Sequence, residues 1–201
     1  MKNIIIFLVL VVVGFIVFAL PQMKQSQRAK KADDWFEKRY GMFGKTTEEI
    51  FSHENATNGF DVLSALRYRM DQKADARGEG SLTDTERRLA ASYWLEAEVN
   101  NGGFDQYFFN SAGNNAELAL AGLKDMGATG AAGLLGRAMA VFPGGKPPAD
   151  RAKRQEVMQQ IAVQSKPVWS QCDSEFYKLT ERLGDLSLAY AKKKRGEIVL
   201  P

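Results

Sequence analysis

A paired glycine, Gly102-Gly103, interrupts the densest run of amides and aromatics in the chain, Glu98-Val-Asn-Asn-Gly-Gly-Phe-Asp-Gln-Tyr-Phe-Phe-Asn-Ser111. These fourteen residues hold three asparagines, one glutamine and four aromatic rings. Glycine alone enters left-handed backbone conformations cheaply, so the pair predicts the end of one helix. Phe104, Tyr107 and Phe108 recur at helical spacing. A second helix with an apolar face is therefore expected to start at once, leaving a tight corner between the two.

The amides around the corner have two readings. In the structural one, Glu98, Asn101, Gln106 and Asn110 satisfy backbone groups orphaned at the helix ends. Phe104 and Phe108 then fill the core beneath. In the functional one, Glu98 and Asp105 face each other across Gly102 and Gly103, with Asn101 and Gln106 orienting a ligand. Glu96 and Glu98 stand two residues apart and cannot share one helix face. None of these spacings is a known catalytic one, so no enzyme is expected and no residue is assigned a catalytic role. The polar corner, Glu98, Asn101, Gly102, Gly103, Asp105, Gln106 and Asn110, is the candidate binding site.

The rest of the chain reads as helices separated by glycine, proline and cap signals. A short helix begins near Asp33 and breaks at Gly41 and Gly44. Thr46 or Thr47 caps the next one. A helical stripe runs from Phe60 to Ala76, and Thr83 with Glu86 forms a capping box for the helix that reaches the corner. Ala/Leu-rich helices follow over Asn115–Met126 and Thr129–Phe142, the latter with Gly133 and Gly136 read as close-packing positions. After the Pro143–Pro148 loop, Asp150 caps a helix to about Ser165, and Pro167 restarts one. Gly184 breaks that helix, and Leu186–Lys194 forms the last. No strand alternation survives, so the fold class is all-α, a single globular multi-helix domain behind one N-terminal transmembrane helix.

That transmembrane expectation rests on Ile4–Leu20, an uncharged apolar run of seventeen residues. At helical rise it spans about 25 Å, near the lower limit for a bilayer core. The segments are then an anchor over 1–22, a basic juxtamembrane linker with a short helix over 23–45, the helical domain over 46–191, and a basic tail over 192–201. A cleaved signal peptide is the alternative reading of 1–22. Lys24, Arg28, Lys30 and Lys31 follow the run before the first acid, Asp33. The positive-inside rule then favours a cytoplasmic domain on a bacterial inner membrane, with a periplasmic one as the alternative.

The single histidine, His53, rules out multi-histidine metal sites, and the single cysteine, Cys172, rules out an intrachain disulfide. No metal and no cofactor is expected. The net charge of +3 gathers at Lys24–Lys31 and Lys192-Lys-Lys-Arg195. The second cluster is expected to be a solvated terminus rather than a nucleic-acid site.

From Leu82 to Phe142 the order of features resembles the bacterial DNA-mimic-protein-like family. A tyrosine-containing helix precedes Asn-Gly-Gly-Phe-x-Gln-Tyr-Phe-x-Asn-Ser, followed by an Ala/Leu helix ending in Met126-Gly127-Ala128 and an alanine-rich helix ending in Phe142-Pro143. The resemblance implies an all-helical domain. It also implies mimicry by surface carboxylates that occupy a transcription factor's DNA-binding face as a dimer. This chain departs from that pattern, because Arg67, Arg69, Arg87, Arg88, Arg151, Lys153 and Arg154 intersperse its acids. A mixed surface competes poorly for a basic groove. The expected function is a membrane-tethered protein-interaction module, with a mimic-like regulator and a carboxylate-based enzyme or ligand-binding domain as alternatives. Its expected contacts are a protein partner and the bilayer through residues 4–20, without direct nucleic-acid binding, and a homodimer stays open.

Gly103→Val is expected to open the corner and lower stability by about 1–3 kcal/mol, because a β-branched residue resists positive φ. Thermal melting measures this, and an unchanged midpoint would remove the turn assignment.

Overall fold

The computed structural model describes residues 30–31 and 33–200. The anchor or signal peptide expected over 1–22 lies outside them. Among the described residues no helix is long and apolar enough to cross a membrane.

The chain divides into two compact units, with the boundary in sequence between Gly44 and Lys45. In the first, helix α1 covers 33–40 and a 3-10 turn covers Gly41–Phe43. Tyr40 packs among Trp35, Phe36 and Phe43, with ring centroids 6.4, 6.0 and 6.3 Å away.

The second unit is entirely helical among its described residues: α2 (Thr47–Ser52), α3 (Gly59–Arg77), α4 (Asp84–Phe109), α5 (Ala116–Asp125), α6 (Thr129–Met139), α7 (Arg151–Gln160), α8 (Ala162–Phe176) and α9 (Leu183–Lys193). Four of them start on the cap their own sequence supplies. Thr46 and Thr83 form capping boxes with Glu49 and Glu86, while Asn58 and Asp150 accept the amides of Asp61 and Lys153. Each such cap contributes about 1 kcal/mol.

The main core joins α4 to α8. Phe108 is its hub, with ring centroids of Phe142, Tyr107 and Trp169 at 4.9, 5.1 and 5.3 Å. Leu95, Val99, Leu123, Leu135 and Phe176 fill the space around it. Elsewhere α3 packs against α2, α4 and α9, and its buried stripe is Val62, Ala65, Leu66 and Met70.

Four features depart from the sequence reading. Pro167 lies inside α8 instead of starting it, and the chain breaks earlier, at Ile161 (φ −96°, ψ 6°). The helical bond that Pro167 cannot make would have gone to the carbonyl of Val163, an exposed residue that water reaches. Gly184 lies in the first turn of α9 rather than breaking a helix. Gly133 and Gly136 face open space, whereas Gly122 lies against α4, where an added Cβ would meet the Arg88 carbonyl oxygen at 2.8 Å.

The fourth correction concerns the basic tail. Lys192 and Lys193 finish α9, and residues 194–200 form a strap with Ile198 and Leu200 buried. The strap is held by polar groups as well. Thr47 Oγ1 donates to the Ile198 carbonyl at 2.7 Å, and Thr83 Oγ1 to that of Glu197 at 2.8 Å. The Val199 amide donates to Glu86 at 2.7 Å, and Lys73 Nζ to the Val199 carbonyl at 2.8 Å. Lys73 and Glu86 are themselves a buried ion pair at 2.7 Å. Removing one member of such a pair costs about 3–5 kcal/mol, since the other charge stays buried alone.

Gly133→Ala and Gly136→Ala are each expected to raise stability by about 1 kcal/mol, because alanine favours the helix and nothing obstructs its methyl. Gly122→Ala is expected to lower it by about 1–3 kcal/mol through overpacking. Chemical denaturation of the three variants measures the contrast, and equal effects at all three positions would refute it.

Candidate functional site

The corner forms where expected, and α4 continues across it as two segments. Gly102 has φ −162° and ψ 25°, and Gly103 has φ +74° and ψ −174°. In an unbroken helix the Val99 carbonyl would receive the Gly103 amide, and the Phe104 amide would reach back to Asn100. Both groups find partners on or just beyond α8 instead. The Phe104 amide donates to Asp173 Oδ1 at 2.8 Å, and the Tyr177 hydroxyl donates to the Val99 carbonyl at 2.8 Å. Asp173 and Tyr177 stand four residues apart, one helical turn, and so address the two sides of the break. Gly103 is fixed twice, by its positive φ and by Asp173, whose Cγ would lie 2.7 Å from an added Cβ. At Gly102 an added Cβ would meet only the Gln106 side chain.

Glu98 gathers the amides. Its Oε2 accepts from Gln106 Nε2 at 2.6 Å and from Asn110 Nδ2 at 2.9 Å, tying the two segments of α4 together. Asp105 does not join it. It is exposed and lies near Asp173, where its charge opposes ionisation of that carboxyl. Asn101 is exposed and makes no side-chain hydrogen bond among the described residues. The candidate residues thus separate into a Glu98–Gln106–Asn110 cluster, an Asp105 beside Asp173, and a solvent-facing Asn101.

Arg154 ends the second segment of α4. It is fully buried, and its guanidinium donates to five oxygens: the carbonyls of Phe108 (2.6 Å), Pro148 (2.7 Å), Ala149 (3.1 Å) and Asn110 (2.8 Å), and Asn114 Oδ1 (2.8 Å). A guanidinium has five donors, so this set matches its capacity. The sequence reading counted Arg154 among surface cations, together with Arg67 and Arg69. All three are buried, with 0%, 8% and 4% exposure.

A groove of about 560 Å³ runs beside Glu98, lined also by Arg67, Trp94, Asn114, Asn115 and Leu118. Asp105 is not among its lining residues. The Arg67 guanidinium stacks 5.0 Å from Trp94 and 5.6 Å from Tyr93, and it pairs with Asp71. Trp94 remains 42% exposed at the groove.

Two groups of α8 near the break are shifted by burial. Burial pushes the Asp173 carboxyl up, against the Phe104 hydrogen bond that favours its charge. Burial also pushes up the Cys172 thiol in the core, which suits an inert sulfur. Among the described residues no three His, Cys, Asp or Glu side chains gather as a metal-ion site.

The molecule therefore contains a helical domain with a break in the longest of its described helices, closed by acceptors and donors from distant segments. The family model described as DMP19-like protein matches residues 80–194, and the chain belongs to that family. No curated protein and no solved structure shows a significant match. The matched region spans α4 to α9 and includes the corner, Arg154 and both α8 partners. Helices α2 and α3 and the strap beyond Lys194 lie outside it.

A carboxyl whose pKa is raised on folding binds its proton more tightly in the native state. Its contribution is therefore lost as pH rises from the unfolded value, about 4, through the raised native one. Asp173→Asn keeps an acceptor for Phe104 and removes this titration. Wild type is expected to lose stability relative to Asp173→Asn across that window, while Asp173→Ala stays about 1 kcal/mol below Asp173→Asn at every pH. Urea midpoints between pH 3.5 and 7 measure it, and parallel profiles for wild type and Asp173→Asn would refute the assignment.

Proposed function

We propose that this DMP19-like protein is a membrane-tethered helical interaction module that binds a protein partner and carries no enzymatic chemistry of its own. One observation carries the reading. Three of the corner's polar groups, Glu98, Gln106 and Asn110, are engaged with one another, while Trp94 stays exposed at the adjoining groove. Tryptophan at the mouth of a concave surface is a typical anchor for a protein partner. A carboxylate engaged by two side-chain amides is poorly placed to move protons.

Tethering is supported by the apolar run Ile4–Leu20 and by the basic residues that follow it. The same charge asymmetry favours the inner membrane with the domain in the cytoplasm. An anchor raises the local concentration of a weakly binding domain near membrane-bound partners. A second copy of the chain is an alternative occupant of the groove, and sedimentation of the purified protein distinguishes it.

The mimic reading gains from one finding. Burial of Arg67, Arg69 and Arg154 removes three of the seven cations thought to intersperse the surface acids. Arg151 and Lys153 remain exposed, and Arg87 and Arg88 half-exposed, so the surface stays mixed and the general interaction module is the stronger reading.

Crosslinking and pull-down of the full-length membrane protein is expected to recover one partner that survives high salt. Trp94→Ala is expected to lose it, with stability changed by no more than about 1 kcal/mol. Equal recovery by Trp94→Ala, or no specific partner, would overturn the proposal.

A further inference from the structure

Glu96 and Glu98 leave α4 on different faces, and they meet different surroundings. Glu98 is held by amides at the groove. Glu96 lines a separate cavity of about 280 Å³ between α3, the first segment of α4 and α9. The cavity floor is apolar, with Leu66, Met70 and Leu89 all buried. Phe60 and Tyr93, 66% and 36% exposed, stand at its edge.

Glu96 is half-buried and makes no hydrogen bond or ion pair with any described residue. The other charged group in the wall, Arg67, is already paired with Asp71 and stacked on Tyr93 and Trp94. The cavity therefore holds one uncompensated carboxylate above an apolar floor. Burial alone raises that carboxyl's pKa, with no neighbouring charge offsetting it.

We propose that this cavity binds a small organic cation with an apolar body, an aryl- or alkylammonium. Its ammonium group would sit on Glu96 and its body against Leu66, Met70 and Leu89. A neutral apolar guest would further desolvate the carboxylate without replacing its lost water. An ammonium restores a charge-assisted hydrogen bond. A hard metal ion is disfavoured, because it needs six or more oxygens and the wall is largely hydrocarbon. The volume lies at the lower end for ligand sites, which limits the guest to about ten heavy atoms. The site is distinct from the groove at Trp94 and stands independently of the protein-partner reading.

Calorimetric titration of the full chain with 2-phenylethylammonium, and with neutral 2-phenylethanol, tests the proposal. Wild type is expected to bind one ammonium per chain, more tightly than the alcohol. Glu96→Gln is expected to weaken the ammonium by at least about tenfold and leave the alcohol unchanged. Leu63→Trp, which fills the cavity, is expected to abolish both. The proposal is overturned if wild type shows no saturable binding, if it does not prefer the ammonium, or if Glu96→Gln binds the ammonium as tightly as wild type. Glu96→Gln introduces no added bulk, so its result decides even if Leu63→Trp does not fold.

Discussion

The break at Gly102–Gly103 governs the domain, because it turns the last six residues of α4 so that Phe104, Tyr107 and Phe108 enter the core. Without it, Phe104, Tyr107 and Phe108 would continue along a single rod, and the aromatic cluster around Phe108 would have no centre. A helix cannot be broken inside a protein without stranding backbone groups. Asp173 and Tyr177 receive the two stranded groups from one helical turn, and Glu98 spans the gap from the other side. The break is thus held by residues on both segments of α4 and by α8, a helix about seventy residues away in sequence.

The same device recurs. Helix α6 has no local cap, and Glu181 supplies one by accepting the amides of Gly130 and Ala131 at 2.7 and 3.0 Å. Burial pushes the Glu181 carboxyl up, but its hydrogen bonds from Gly130, Ala131 and Thr129 together outweigh that and hold it below the usual range. Arg154 acts at the opposite polarity, giving its donors to the carbonyls that end α4. Glu86, Arg154, Asp173 and Glu181 thus all serve helix ends. Glu96 stands apart from that pattern, as a half-buried carboxylate with no assigned partner.

Local signals in the sequence were readable because their physics is local. The glycine pair, the Thr83–Glu86 box and the Asp150 cap each involve residues within a few positions, and each forms as read, while of the two threonines Thr46 is the cap and adds a box with Glu49. The distant partners carried no such mark. Asp173, Tyr177 and Arg154 are ordinary polar residues until the fold brings them to the break. Arg154 in particular read as surface charge, because one chain's sequence does not distinguish a solvated arginine from one holding five oxygens. Gly133 and Gly136 misled for the reverse reason: small residues at helical spacing permit close approach but do not produce it. The run of lysines and arginine predicts a solvated terminus, because Ile198 and Leu200, which bury the strap, are too few to set a helical period. Within the candidate corner, Glu98, Gln106 and Asn110 meet, while Asp105 lies near Asp173 of α8.

The central claim is that the break is closed from α8, and amide hydrogen exchange at Phe104 tests it most directly. In wild type this amide is expected to exchange as slowly as its buried neighbours, although it is the first residue of a helical segment. Asp173→Ala is expected to speed its exchange by about tenfold or more, with amides early in α4 unchanged. A fast Phe104 amide in wild type, or one indifferent to Asp173, would contradict it.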